Sequence, residues 1–590
     1  MSLLCRLLQA RMVDHPAPSG ALHRRVPACV AWVLAAALGW AFGLGFAFAQ
    51  EGDQHALGKR IYREGLLDAG KVLTGQAVAG VELSGKDAAC TTCHRRSGYG
   101  SSEGSIEVRS ITGPALFGRT TGADAPINPQ TAFDPSARGQ AQTAARALRA
   151  VRLATLAGGR QRPVYDESTL ARAIQQGIDV TGKPMNASMP RYTLEPAQMQ
   201  ALTAYLKTLS VQAASGVTDT EVHFATVFQP GTPLAHRQAL LQVIQTYFQE
   251  RNAGLRAQVR REEAGSVRLR RSYRNWILHA WDLTGPSDTW PGQLEAFNRQ
   301  QAVFALVSGL GQESWRPIHD FSERFEVPCI FPQVDLPVLD EGNHFTVYLS
   351  RGMTLEAQAL ASFLQRENKP APLVQVYRRD TAGASGARAF SQAWQAYTGS
   401  APEERVIDGV PDASFWSTLA RQRATLVLWL NAQDLGDTHA LTAPETSLQA
   451  IYLPLSLNRG TRSGLAAHGS PLVRMIYPEE LPLVRDARLE LVRRWMHDAG
   501  IEPSNPSLQM NAYLAATVTA MVVSHSMDTY SADYLMERME HMLGNALERS
   551  IYPRLSLGPG QRFASKGSYI VTVGGKEDSE LMPLSDWIVP

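Results

Sequence analysis

Cys90-Thr91-Thr92-Cys93-His94 is the stretch on which the reading of this chain turns. A Cys-x-x-Cys-His run is the attachment pattern of a c-type haem. Two thiols one helical turn apart each form a thioether with a haem vinyl group, and the imidazole that follows is placed to bind the iron. Zinc would require two further Cys or His at short spacing, and a thiol redox motif would not require the histidine. No such second pair lies nearby in the sequence. A second axial ligand is offered about a hundred residues on, in Gly182-Lys183-Pro184-Met185-Asn186-Ala187-Ser188-Met189-Pro190-Arg191-Tyr192, where two thioethers precede an amphipathic run. Only one Cys-x-x-Cys-His occurs, so one covalent haem is expected.

The 590 residues exceed one ordinary domain, and 44% hydrophobic with 19% charged residues supply ample core material. Arg24-Arg25 precede an uncharged apolar run from Val26 to Phe48, which ends in Ala47-Phe48-Ala49. That pattern reads as a signal peptide over 1–49 cleaved after Ala49, with export to the periplasm. A retained membrane anchor is the alternative, and Met12 is a possible start. The formal charge of +2 falls to about −1 once the first 25 residues, which carry four arginines and one aspartate, are removed. A near-neutral mature chain gives no sign of nucleic-acid binding. Beyond the signal region only Cys329 remains outside the haem motif, and its apolar surroundings Val327-Pro328-Cys329-Ile330-Phe331 suit a buried, inert thiol.

Residues 50–210 read as one small helical domain, opening with a helix near Ala56–Gly65 and closing with Leu202, Tyr205, Leu206 and Leu209 on one apolar face. Thr193-Leu194-Glu195-Pro196 marks the start of the closing helix. The Ala-, Gln- and Pro-rich stretch from Arg119 to Gly159 reads as an insertion. Thr169-Leu170-Ala171-Arg172-Ala173-Ile174 with Gly177, Gly182, Met189-Pro190-Arg191-Tyr192 and Tyr205-Leu206 resembles the second half of a class I cytochrome c. That resemblance implies an all-α fold, haem c attached at Cys90 and Cys93, and iron held by His94 and Met189, with Met185 as the fallback. It implies electron transfer rather than catalysis.

After a polar linker over 211–220, strand-like runs alternate with helical ones: Val222–Phe228, Ala302–Val307, Cys329–Pro332, Leu373–Tyr377, Thr425–Leu430 and Ala450–Leu453. Such alternation predicts doubly wound α/β lobes over 221–575, with a tail over 576–590 and ligands at the carboxyl ends of the strands. Val303–Gly309, Val327–Pro332, Ser350-Arg351-Gly352-Met353, Ser556–Arg562 and Lys566–Tyr569, in that order, resemble a two-lobed type I periplasmic binding protein of ABC transporters. The nearest variety is the one that accompanies PQQ-dependent alcohol oxidation. By position, Ser308, Gly309, Gln333, Asp335, Arg379 and Asp380 face a solute cleft, and Ser556–Arg562 with Lys566–Tyr569 form the closing strands. Gln333-Val334-Asp335 stands where the amino-acid binders carry a small residue and a threonine. The resemblance implies a small-molecule solute, a periplasmic redox partner such as a quinoprotein dehydrogenase or a terminal cytochrome, and alternatively an ABC permease. Seven arginines between Arg256 and Arg274 read as a solvated surface strand pair, with a docking face for an acidic partner as the rival.

Overall fold

The computed structural model describes residues 53–103, 106–118, 163–211, 214–261, 274–340, 342–367, 372–379, 381–458, 465, 470–526, 530–544, 550–574 and 580–590. The proposed signal peptide, the Arg119–Gly159 insertion and Asp380 lie outside them. In chain order the first part forms α1 (residues 53–64), β1 (Thr74–Gln76), β2 (Glu82–Ser84), α2 (Thr91–His94), β3 (Ser101–Glu103), β4 (Ile106–Val108), α3 (Gly113–Phe117), α4 (Glu167–Gln176), β5 (Arg191–Tyr192) and α5 (Pro196–Thr208). Two compact units result, one of Met1–Ala89 with Glu167–Leu206, the other of Cys90–Asp166 with Lys207–Pro590.

In the first unit α1 lies on α5 at Gly58, where a Cβ would run into the Ala201 carbonyl, so only glycine permits that approach. Ile61 and Tyr62 are buried together with Leu202, Tyr205 and Leu206, the face foreseen from their spacing. Leu209, at the end of that stripe, is buried as well. A small antiparallel sheet β2-β1-β5 here, and the β3-β4 pair of the other unit, depart from the expected all-helical domain.

The second unit continues with β6 (Glu221–Phe228), α6 (Leu234–Arg261), β7 (Asn275–Asp282), α7 (Trp290–Gln300), β8 (Ala305–Gly311), α8 (Arg316–Phe325), β9 (Cys329–Ile330), β10 (Gln333–Val334) and β11 (Thr346–Val347). Their parallel sheet has the order β11-β9-β8-β6-β7, with β10 beside β8. A second lobe follows with α9 (Met353–Glu367), β12 (Leu373–Arg378), α10 (Ala382–Thr398), β13 (Glu403–Ile407), α11 (Ala413–Ala420), β14 (Thr425–Trp429), α12 (Ala432–Leu435), α13 (His439–Thr442), β15 (Ala450–Pro454) and β16 (Val473–Tyr477). The chain then returns to the first lobe with α14 (Pro482–Asp498), α15 (Pro506–Ser526) and α16 (Ala532–Met542), and ends in the second with β17 (Tyr569–Gly574) and β18 (Glu580–Pro583).

Both lobes share one winding, in which the first strand lies between the second and the third: β7-β6-β8-β9-β11 and β13-β12-β14-β15-β16. This is the doubly wound 2-1-3-4-5 order, which places a crevice where the winding reverses. Each sheet is covered on both faces. In the first lobe Phe224, Ile244 and Leu514 lie in the core on one side, and Trp281, Trp290 and Trp315 on the other. In the second lobe Trp416 and Leu428 oppose Phe390 and Trp429. α15 buries Ala512, Leu514, Ala515, Ala516, Val518 and Val522, which makes it a central rather than a surface helix. Three segments cross between lobes, near residues 350, 479 and 566, and the first and third run side by side: the Ala564 and Ser565 amides donate to the Tyr348 and Leu349 carbonyls at 3.0 and 2.7 Å.

Three expectations need correction. Arg256, Arg260 and Arg261 lie in the long helix α6, not in a strand, because the apolar helical period from Leu240 to Phe248 carries the backbone on to Arg261. The rest of that basic run up to Tyr273 is outside the described residues. Ser556–Arg562 is a turn rather than a closing strand: the Gln561 amide donates to the Gly558 carbonyl at 2.9 Å, and Gly560 takes φ 76°. The closing strands are β17 and β18, so the stretch read as a tail supplies an antiparallel edge strand and the buried Ile588.

Candidate functional site

The haem motif is held by a tightly hydrogen-bonded loop. In α2 the His94 amide donates to the Cys90 carbonyl at 2.9 Å, so the two thiols stand one turn apart. The turn ends because Arg95 takes φ 64° and Gly98 and Gly100 take φ 77° and 84°. At Gly100 a Cβ would meet the Val108 carbonyl, so the chain doubles back there only as glycine. The Gly100 amide donates to the His94 carbonyl, and the Ser101 and Ser210 hydroxyls donate to the Cys93 and Ser97 carbonyls.

His94 is buried, and its Nδ1 lies 3.0 Å from the Arg109 carbonyl. Burial pulls the imidazole down to about 4, against the opposing hydrogen bond to Arg109, so the ring is neutral at pH 7. A neutral ring that donates from Nδ1 carries its lone pair on Nε2, the form that ligates a metal. The residues therefore fit a haem: two thiols in no disulfide at the right spacing and an imidazole with its tautomer fixed.

Met189 lies in a loop of the first unit. Its amide donates to Asn186 at 3.2 Å, its carbonyl accepts from the Arg191 guanidinium, and its side chain is half-buried. That guanidinium also covers Gly177, whose φ of 69° and lack of a Cβ leave room for it. Met185 is half-buried in the same loop, its amide bonded to the Gly177 carbonyl at 2.8 Å.

In the α/β module the winding reverses between β6 and β8 and between β12 and β14. At the first switch the structure brings together Ser308, Gly309 and Gln333. Ser308 is fully buried with φ 59°, Gly309 takes φ 144°, and the β6–β8 register slips there. A Cβ at Gly309 would lie 2.8 Å from the Trp315 ring. Gln333 donates to the Leu508 carbonyl at 3.1 Å and toward Ser308 Oγ at 3.4 Å, which ties the strand end to α15. Asp335 is exposed just beyond β10. Arg379 belongs to the other switch, exposed at the end of β12 beside Arg378, which pairs with buried Asp434 at 2.9 Å. Gln229 went unnoticed in the sequence. Its amide bridges Glu313 and Ser314 at 3.0 and 3.2 Å at the end of β6, and a polar residue closing an apolar strand was the available signal.

Residues 77–210 match the family model for cytochrome c. No curated protein sequence matches the chain. Among solved structures the chain is similar to a putative branched-chain amino acid ABC transporter protein of Rhodospirillum rubrum, at 14% identity and a TM-score of 0.45, covering 62% of this chain and 100% of that one. It is also similar to a fatty acid ABC transporter substrate-binding protein of Thermomonospora curvata, at 14% identity and a TM-score of 0.44, covering 64% and 95%. A third is the branched-chain amino acid substrate-binding protein LivJ of Streptococcus pneumoniae, at 11% identity and a TM-score of 0.44, covering 62% and 100%. The chain carries a cytochrome c domain, a class that implies haem c. Joined to it is an α/β module of two doubly wound lobes, so the protein is a fusion of the two.

Proposed function

We propose that this protein is an exported electron carrier with one covalent haem, whose α/β module holds a small solute. The observation that carries the reading is the buried His94, held by the Arg109 carbonyl one turn from the Cys90 thiol, with the Cys93 thiol just before it in the same turn. Haem c supplies a one-electron Fe(III)/Fe(II) couple. Cys90 and Cys93 anchor it, His94 gives Nε2 to one axial position, and the Met-Pro-Arg-Tyr match assigns Met189 to the other. The shared winding of the lobes supports a solute crevice at their strand ends, with Gln333 and Arg379 on opposite lobes. The chain has no reaction of its own in this reading and passes electrons within a periplasmic dehydrogenase system, such as PQQ-dependent alcohol oxidation.

A second reading, a solute receptor for an ABC permease with a secondary haem, is favoured by the three lobe crossings, which suit opening and closing about a hinge. Haem staining of the exported protein on a denaturing gel tests the first reading. Stain that survives boiling in the parent and is lost in Cys93→Ala supports it, and a chain without stain refutes it. Reduction of the purified protein by a periplasmic dehydrogenase, against loss of solute uptake on deletion, separates the two readings.

A further inference from the structure

α16 carries its acidic side chains on one stripe, since Asp533, Glu537 and Glu540 follow one another at the i, i+4, i+7 spacing of a single helical face. The opposite face is fixed, because Leu535, Met536 and Met539 are fully buried in the first-lobe core beside α15. Two segments far apart in sequence dock on the stripe. The haem-attachment loop takes its first two positions: Arg96 Nε lies 2.9 Å from Asp533, and Ser97 donates its amide and hydroxyl to Glu537 at 2.8 and 2.5 Å. Arg562 takes the third, its Nη1 donating to Glu540 at 2.8 Å.

His344, in the loop before β11, joins the two ends of the stripe. Its Nδ1 lies 2.8 Å from Arg562 Nη2 and its Nε2 lies 3.2 Å from Asp533 Oδ1. A guanidinium can only donate, so Nδ1 is the acceptor and the ring hydrogen stands on Nε2, toward the carboxylate. Burial pulls this imidazole down to about 4, so the ring is neutral at pH 7. Two ion pairs, Arg96 with Asp533 and Arg562 with Glu540, are thus bridged by one neutral ring with both nitrogens committed. His344, Asp533 and Arg562 are buried, and charges so desolvated hold one another in place, because a partner that leaves strands the other away from water. The ring's own backbone is anchored: the His344 and Phe345 amides donate to the Glu323 carboxylate at 2.9 and 2.7 Å. Arg562 also opens the third lobe crossing. Its carbonyl accepts from the Tyr348 amide at 2.8 Å, just before Ala564 and Ser565 bond to the first crossing.

We propose that Arg96, Asp533, His344 and Arg562 form a polar relay between the haem-attachment loop and the interlobe hinge, with Arg96 and His344 as positioning residues, so that lobe movement and haem redox state bias each other. This rests on the haem reading above and on a hinge at the lobe crossings. Opening and closing of the lobes supplies the two arrangements that such coupling requires. A swing about the crossings displaces Arg562, and its bonds to His344 and Glu540 must follow or break. His344 and Asp533 then readjust, and Arg96 shifts two positions after His94. In the other direction, oxidation adds a positive charge to an iron ligated by the same loop, and that charge repels the Arg96 guanidinium where it rests on Asp533. The two effects are equal in free energy by linkage.

The test uses the full-length holoprotein and needs no solute. Amide hydrogen exchange at Ala564 and Ser565, read by mass spectrometry of peptides from the third crossing, is compared between ferric and ferrous protein. In the parent the two rates should differ about fivefold, the low end of allosteric coupling. Arg96→Gln removes the charge at the far end of the relay, on a side chain that is 30% exposed, and should bring the two rates together. His344→Leu should do the same, whereas His344→Gln, whose amide offers both an acceptor and a donor, should keep them apart. A merely structural role would change exchange in ferric and ferrous protein alike and leave their ratio as in the parent. A ratio unchanged in Arg96→Gln or His344→Leu, a ratio lost in His344→Gln, or a parent with equal rates overturns the relay. If His344→Leu does not accumulate folded, Arg96→Gln decides alone. Haem staining runs in parallel: a parent without covalent haem refutes the haem reading and the relay with it, while stained protein with equal rates refutes the relay alone.

Discussion

The contact between Ser97 and Glu537 should make stability depend on pH in a direction opposite to that of an ordinary acidic residue. Burial raises the Glu537 carboxyl from 4.5 to about 8, nearby Asp533 and Glu540 add to the rise, and the bonds from Ser97 oppose it. The folded chain therefore keeps this proton between about pH 4.5 and pH 8 while the unfolded chain has released it. Stability is full below pH 4.5, falls as pH rises through that window, and is level above pH 8. At about 1.4 kcal/mol per unit the upper bound is about 5 kcal/mol, and because Glu537 is only half-buried as a residue we expect about 2–3 kcal/mol. Glutamine supplies the protonated pattern permanently: Oε1 accepts the Ser97 N–H and Nε2 donates to Ser97 Oγ. Glu537→Gln should match the parent near pH 5 and exceed it by those 2–3 kcal/mol near pH 8.5. Urea unfolding of parent and variant at a series of pH values, followed by tryptophan fluorescence and haem absorbance, measures the difference. A difference that stays constant from pH 5 to pH 8.5 would refute a buried, proton-holding Glu537.

Met189→Ala should abolish the near-infrared sulfur-to-iron band and lower the potential, since thioether ligation raises it; if Met185→Ala does so instead, the assignment is off by four residues. Gly58→Ala should destabilise the first unit by about 2 kcal/mol or more, read as a lower thermal midpoint, because the new methyl meets the Ala201 carbonyl rather than a movable side chain. Ferric and ferrous protein should differ about fivefold in affinity for the solute, about 1 kcal/mol of coupling, and calorimetric titration giving equal affinities would reduce the fusion to a tether.

Local chemistry was legible in the sequence because it is written in short spacings. Cys90, Cys93 and His94 specify one turn of helix that ends in a buried imidazole. Leu202, Tyr205, Leu206 and Leu209 specify a buried face, and alternating apolar strands and amphipathic helices specify doubly wound lobes. The strand β7 was missed because its sequence Asn275–Asp282 follows an arginine-rich run that masks its alternation, and β18 because an edge strand needs only one apolar face. Tertiary structure alone decided what covers the haem loop. Asp533, Tyr534 and Arg538 are buried and Glu537 half-buried on a helix onto which Ser97, 440 residues earlier, folds at Glu537. A polar side chain carries no local mark of its desolvation, which depends on contacts between residues far apart in sequence that no spacing encodes.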